Sequence, residues 1–338
     1  MADGAATAPD APSGERAAFL AGLATVILWG SAFVAIRAAD AMLSPGPIAL
    51  GRLIVSSAIL TAVALLRRER LPGRSAWLPT TVFGILFLGG YSLALNAAER
   101  QVDAGTSAMI VNTGPLLIAL LAGVVLREGF PKGLLAGCGV ALVGCVLIGL
   151  ATTRSGGSGG TGLVLLVVAT LAYASAVVVQ KVALARASAF QVTWLGCAAA
   201  TLVCLPFAPA LAGQAAAASG GAIAWVIYLG VMPTALGFAT WSYVLRRASA
   251  GRVASFNYLI PVAAILLGWA YLGERPSMLA IAGGGLCLIG VYVARRRSSA
   301  DNPAGSARAI RRTASSISRS PSGAKDSRRQ GKDSPEKA

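Results

Sequence analysis

The chain has no histidine among its 338 residues, and charged side chains make up only 12% of it. Without histidine, and without any C-x-x-C pair, the usual zinc ligand sets are excluded. No Walker motif appears, so ATP does not drive the protein directly, and no cofactor is implied. The apolar stretches carry no Asp or Glu deep inside them. Nor is there the cluster of His, Asp, Cys or Ser near one membrane face that a membrane-embedded enzyme needs, so a non-enzyme is expected. Ordinary globular domains carry about a quarter charged residues. A soluble fold of this length has too little charge here to clothe its surface.

What is present is apolar: 56% of the residues fall in the hydrophobic set, and 40 are glycine, as in membrane helices that bring backbones close. The five cysteines (Cys138, Cys145, Cys197, Cys204, Cys287) all lie in apolar stretches. An odd count in hydrocarbon argues against a disulfide framework, and small apolar packing is the better reading.

A helix needs about 20 apolar residues to cross roughly 30 Å of hydrocarbon. Candidates fall near 17–37, 45–66, 76–98, 104–126, 133–151, 161–183, 188–210, 222–244, 250–272 and 276–294. The fold class expected is therefore an all-α integral membrane protein of ten transmembrane helices. The first span is too long for a signal-peptide core, and Arg37 stands where a cleavage site would need small residues. The segment 1–16 is read as a disordered N-terminus, 17–151 and 161–294 as two five-helix units, and 152–160 as a Gly/Ser linker.

The net charge of +16 maps onto topology and does not suggest a nucleic-acid partner. Residues 295–338 hold 12 of the 29 Lys and Arg. With the N-terminus inside, another 12 (Arg16, Arg67, Arg68, Arg70, Arg74, Arg127, Lys132, Lys181, Arg186, Arg246, Arg247 and Arg252) are cytoplasmic, and only Arg37, Arg100, Arg154 and Arg275 are outside. Both termini are thus expected in the cytoplasm of a multi-pass plasma-membrane protein. The tail 295–338 is too poor in apolar residues to fold alone; it is read as a solvated positive-inside tail, with docking on anionic membrane lipids as the alternative.

A shift of 146 residues brings the ends of the two halves into register. Pro115 meets Pro261, Glu128 meets Glu274, and Gly137, Gly139 and Gly144 meet Gly283, Gly285 and Gly290. Nearer each start, a shift of 144 sets Trp29-Gly30-Ser31-Ala32 on Tyr173-Ala174-Ser175-Ala176. Alanine and glycine coincidences come cheaply in this chain, but the proline and glutamate matches at one offset do not. Five helices per unit is odd, so the second unit enters the membrane inverted. Inverted repeats build alternating-access transporters with a site near the midplane, where the halves meet.

The residues resemble a known family. Trp29-Gly30-Ser31-x-Phe33, then Pro47 with Arg52, then Asn112-x-x-Pro115 and Asn257-x-x-x-Pro261, each followed 13 residues after its proline by Glu128 or Glu274, are similar to the EamA family of the drug/metabolite transporter superfamily. The likeness covers about 17–294. It implies a ten-helix secondary transporter, often an exporter of amino acids or other small metabolites. A multidrug exporter or lipid flippase on the same scaffold is the alternative. The second half departs from the pattern: around Gly196-Cys197 no arginine matches Arg52.

The candidate substrate-binding residues are the polar and amphipathic groups within spans: Trp29, Ser31, Arg52, Tyr91, Asn96, Asn112, Tyr173, Ser175, Trp241, Asn257 and Tyr258. Arg52 is read either as meeting an anionic group of the small-molecule substrate or as snorkelling to the surface and satisfying helix carbonyls. Pro115 and Pro261 are read as helix kinks, because each removes a backbone hydrogen bond within an apolar run. Glu128 and Glu274 read as span-end anchors; any proton coupling must use them or Asp40, Glu99 or Asp103. Gly133-x-x-x-Gly137 and the glycines of the last span read as close helix contacts, within one chain or between the copies of a homodimer.

Overall fold

The computed structural model describes residues 11–125, 132–154, 159–247 and 259–301. Arg127, Glu128, Arg252, Asn257, Tyr258 and most of the linker and basic tail lie outside the described residues. Everything described is helix or short connection, and no strand occurs among the described residues. Six helices are long and apolar enough to cross a membrane: Ala17–Asp40, Pro45–Leu66, Arg74–Ala98, Gly160–Leu184, Ala189–Ala217 and Gly220–Trp241. Four shorter apolar helical stretches accompany them, Ala104–Ile118, Leu135–Ile148, Ile260–Leu272 and Met278–Gly290.

In chain order the first half comprises α1 (Ala11–Asp40), α2 (Pro45–Leu66), α3 (Trp77–Phe83), α4 (Ser92–Ala98), α5 (Ala104–Val111), α6 (Gly114–Val125) and α7 (Lys132–Arg154). The second comprises α8 (Gly159–Leu184), α9 (Ala189–Cys204), α10 (Ala208–Ala217), α11 (Gly220–Leu229), α12 (Gly237–Arg247), α13 (Ile260–Leu272) and α14 (Met278–Asp301). Local chemistry sets several boundaries. Ser188 and Gln191 form a reciprocal capping box at the start of α9, and Asp103 accepts from the Thr106 amide at the start of α5. Gly273, at φ 67°, closes α13, its amide reaching the Trp269 carbonyl while that of Glu274 reaches Gly268. That left-handed turn suits glycine and aims Glu274 back toward the bundle.

Two prolines sit where their missing N–H does least harm, whereas Pro233 lies inside the helical run Gly230–Leu236. Pro261 occupies the first turn of α13, and Pro115 is the second residue of α6. The chain turns at Asn112-Thr113 just ahead of Pro115, so the irregularity precedes the proline. This follows because the proline ring clashes with the carbonyl four residues before it. Helix also continues through Pro206 and Pro209 by way of a 3₁₀ turn, Leu205–Phe207, carrying the span 188–210 expected from the sequence on to Ala217.

A π segment joins α3 to α4 over Gly84–Tyr91, and another joins α11 to α12 over Gly230–Leu236. The two stand at equivalent positions under the shift of 146. Their first glycines make equivalent contacts. A Cβ on Gly84 would lie 2.3 Å from the Gly196 carbonyl oxygen; one on Gly230 would lie 2.8 Å from that of Arg52. Gly196 and Arg52 are themselves equivalent under the shift of 144. Each half thus lays its π segment on the second helix of the other.

The last helices of the halves, α7 and α14, pack along most of their length and run antiparallel. The Gly144 Cβ position faces the Gly283 carbonyl at 2.4 Å, and that of Gly290 faces the Gly137 carbonyl at 2.5 Å. These glycine contacts lie within one chain. Cys287 lies in the same seam, its Sγ 3.7 Å from that of Cys145. Large apolar side chains cover the outside (Leu66 is 85% exposed), while Arg52, Asn96, Glu99 and Asn112 are buried. Such an inside-out distribution suits a bundle whose solvent is lipid.

Candidate functional site

A cavity of about 380 Å³ lies between the halves. The first helix of each half lines it with the same face: Trp29, Phe33 and Ile36 of α1 correspond to Tyr173, Val177 and Gln180 of α8 under the shift of 144. The π segments and the helices that follow them do the same, Phe87, Ser92 and Leu95 answering to Pro233, Phe238 and Trp241 under the shift of 146. α5 and α6 add Asn112 and Pro115. Arg52 has no counterpart in the lining, because Gly196 stands in its place and packs on Gly84.

Arg52 is 9% exposed and has not snorkelled to the surface. One Nη donates to Thr234 Oγ1 at 2.9 Å, and that hydroxyl donates in turn to the Leu229 carbonyl at 2.8 Å, five residues back at the end of α11. No carboxylate pairs with Arg52 among the described residues. A guanidinium offers five donors in a planar fork. The cavity therefore holds a desolvated cation whose protein partner is a neutral hydroxyl.

The aromatic side chains form a continuous wall. Trp29 packs against Trp241 and Phe238 with centroids 5.1 and 5.8 Å apart. Phe87 touches Phe238, Tyr91 and Tyr173 at 5.7, 5.3 and 5.4 Å. The Trp29 indole donates to the Pro233 carbonyl at 3.2 Å, which ties the wall to the second π segment.

Of the candidates read from the sequence, Trp29, Arg52, Tyr91, Asn112, Tyr173 and Trp241 meet in this cavity, with Pro115 beside them. Three lie elsewhere. Ser31 shares a 2.7 Å hydrogen bond with the Tyr228 hydroxyl, joining α1 to α11. Asn96 donates to the Pro45 carbonyl at 3.1 Å, joining α4 to the start of α2. Ser175 is half-buried on α8 outside the lining, and Pro261 packs in the core. Asn257 and Tyr258 lie outside the described residues. Gln180, Phe87, Phe238 and Ser92 were not singled out from sequence. The signal for Gln180 and Phe238 was the repeat shift itself, which relates each of them to another lining residue.

Polar groups gather at one end of the bundle, beyond Ile36 and Leu95. Arg37 Nε donates to Glu274 Oε1 at 2.7 Å, and Glu274 Oε2 accepts from the Ala104 amide at 3.1 Å. Glu274 thus joins α1 to α5, and its partner is Arg37 although Arg275 is next to it in sequence. Arg37 Nη1 also donates to the backbone carbonyl of Glu99, and Arg100 pairs with Asp40 at 2.6 Å.

Two halves with shared irregularities, packed about a central cavity in an apolar bundle, define a multi-pass membrane protein of repeat architecture. The model of the EamA-like transporter family matches residues 16–150 and 160–296, one match per half, and the chain belongs to that family. It is similar to the "Probable terminal-alkyne amino-acid exporter" of Streptantibioticus cattleyicolor, with 34% identity over 81% of this chain and 92% of that protein. It is also similar to the "Uncharacterized transporter YdfC" of Bacillus subtilis, 29% identical over 78% of this chain and 86% of that protein. A solved crystal structure 22% identical in sequence shares the fold, with a TM-score of 0.56 over 82% of this chain and 97% of that one.

Proposed function

We propose that the protein is a secondary transporter that exports a small organic metabolite carrying a carboxylate, such as an amino acid. The observation that carries this is Arg52, buried in the cavity wall with a hydroxyl as its partner. An arginine within a membrane span costs at least ~2.5 kcal/mol on insertion scales. A bidentate carboxylate from the substrate offsets that cost and fixes the substrate's orientation. The cavity volume of about 380 Å³ lies within the usual range for small-molecule sites. The aromatic wall favours an apolar body behind the carboxylate. A multidrug exporter shares the wall but has no use for a buried fork of donors.

The transport cycle is alternating access across ten spans, with the two repeats inverted. Antiparallel packing of α7 on α14 supports the inversion, since equivalent helices of inverted repeats run in opposite directions. The paired π segments lie in the seam on which such halves rock, and each supplies a wall of the cavity. Both termini are cytoplasmic in the plasma membrane, which puts the Arg37–Glu274 end outside.

The test is reconstitution in liposomes with labelled amino acids, sugars and nucleosides, with and without a proton gradient. Movement of carboxylate-bearing substrates is expected. Transport of neutral sugars or nucleosides in place of amino acids overturns the substrate class. No movement under any gradient overturns the transporter reading.

A further inference from the structure

Glu99, the residue that closes α4, is fully buried, and neither of its carboxylate oxygens has a hydrogen-bond partner among the described residues. Its surroundings are charged yet already committed. From α1, Arg37 gives its donors to Glu274 and to the Glu99 backbone carbonyl, and Asp40 pairs with Arg100. From the start of α5, Asp103 accepts from the Thr106 amide and hydroxyl. From beyond α13, Glu274 is held by Arg37 and the Ala104 amide. On the cavity side stand Arg52 of α2 and Tyr91. α8 meets this end with Gly162, against Val102 and the Ala98 carbonyl.

An ionised carboxylate in that position is a buried anion with no donor among the described residues and three other carboxylates about it. Leaving such a charge unpaired costs several kcal/mol. A neutral carboxyl costs far less. Burial accordingly pushes the Glu99 carboxyl well above the usual carboxylate range; Arg37 pulls it back in part, while Glu274, Asp40 and Asp103 raise it further. The same contacts that bury Glu99 tie α1, α4, α5 and the end of α13 together. Closing this end of the bundle and neutralising Glu99 are therefore one event.

We infer that Glu99 is a proton-binding gate at the outer end, and that closure of that end takes one proton from the outer solution onto its carboxylate. The inference rests on the alternating access proposed above. When the outer end opens, water reaches the carboxylate and the proton returns to the outer solution, so none crosses the membrane on this group. On closure, COO⁻ and H⁺ become COOH, with no other bond made or broken. Leu95, one turn earlier on α4, lines the cavity, so the proton is stored next to the substrate compartment. The sign follows from linkage. The closed form, whose carboxyl pKa is raised, is favoured at low pH, and the preference is lost as pH rises through that value. For one proton the limit is about tenfold per pH unit.

The substitution Glu99→Gln keeps the shape of the protonated side chain and removes the titration. Hydrogen exchange on the purified full chain, without substrate and corrected for intrinsic rates, reads the outer end over residues 95–108. Wild-type protection there is expected to rise as pH falls from 8.5 to 5.5, and E99Q to be protected at every pH. In liposomes, equal-concentration exchange of tritiated L-phenylalanine by the wild type is expected to slow as the pH on the outer face falls. E99Q is expected to exchange at a rate that does not follow that pH. Protection in the wild type that is flat with pH, or E99Q whose protection or exchange follows pH like the wild type, overturns the inference. If the wild type moves no amino acid, the export reading fails, and hydrogen exchange still decides the role of Glu99.

Discussion

Replacing Arg52 with alanine is the sharpest test of how the cavity holds its substrate. In the structure the guanidinium donates to Thr234, and Thr234 donates onward to the Leu229 carbonyl. Removing Arg52 therefore leaves the Thr234 hydroxyl with a partner, and also removes a desolvated cation. The fold should not weaken, and the thermal midpoint in detergent should stay at or above that of the wild type. Binding is a different matter. Hydrogen bonds to a charged group are worth about 1.5–3 kcal/mol. Loss of the fork should thus raise the apparent KM for a carboxylate substrate by about 10- to 150-fold. Arg52→Lys keeps the charge but loses the planar pair of donors, and a loss of about 1 kcal/mol corresponds to about fivefold. The assay is uptake into inside-out vesicles of an amino acid beside its carboxamide, which lacks the anion. The wild type should discriminate between them and Arg52→Ala should not. An unchanged KM in Arg52→Ala, or an equal loss for acid and amide, refutes the reasoning.

The remaining predictions probe the seam. Gly84→Ala places a methyl 2.3 Å from the Gly196 carbonyl oxygen, so the first π segment and α9 must part; destabilisation of about 1–3 kcal/mol is expected as a lower thermal midpoint. Gly139→Ala, where no atom lies within 4 Å of the new methyl, should be neutral or slightly stabilising in the same measurement. Mild oxidation should join Cys145 to Cys287, whose sulfurs are 3.7 Å apart, giving a cross-link within one chain that Cys287→Ser abolishes. A cross-link found only between chains contradicts the antiparallel packing of α7 on α14.

Much of the site was visible before the fold was known, for a definite reason. Trp29, Arg52, Tyr91, Asn112, Tyr173 and Trp241 are polar or amphipathic groups within apolar spans, so each points to a cavity, a partner or a membrane interface. Which of these it has found depends on a second helix far away in the chain. Ser31 and Asn96 look the same in sequence, yet one meets the Tyr228 hydroxyl and the other the Pro45 carbonyl. Gln180 sits next to Lys181 at a span end, where an amide is unremarked until α8 turns it inward. Glu274 adjoins Arg275 but pairs with Arg37, because the left-handed turn at Gly273 redirects the chain.

The sequence by itself determined the membrane class, the helical character and the duplication. Those properties are written in hydropathy and in the register of Pro115 with Pro261 and Glu128 with Glu274, which need no knowledge of packing. The tertiary structure decided the paired π segments, the seam of α7 and α14, the asymmetric placing of Arg52 opposite Thr234, and the burial of the Glu99 carboxyl with no donor to it among the described residues. Each of these depends on how closely backbones far apart in the chain approach one another, and hydropathy does not encode that distance.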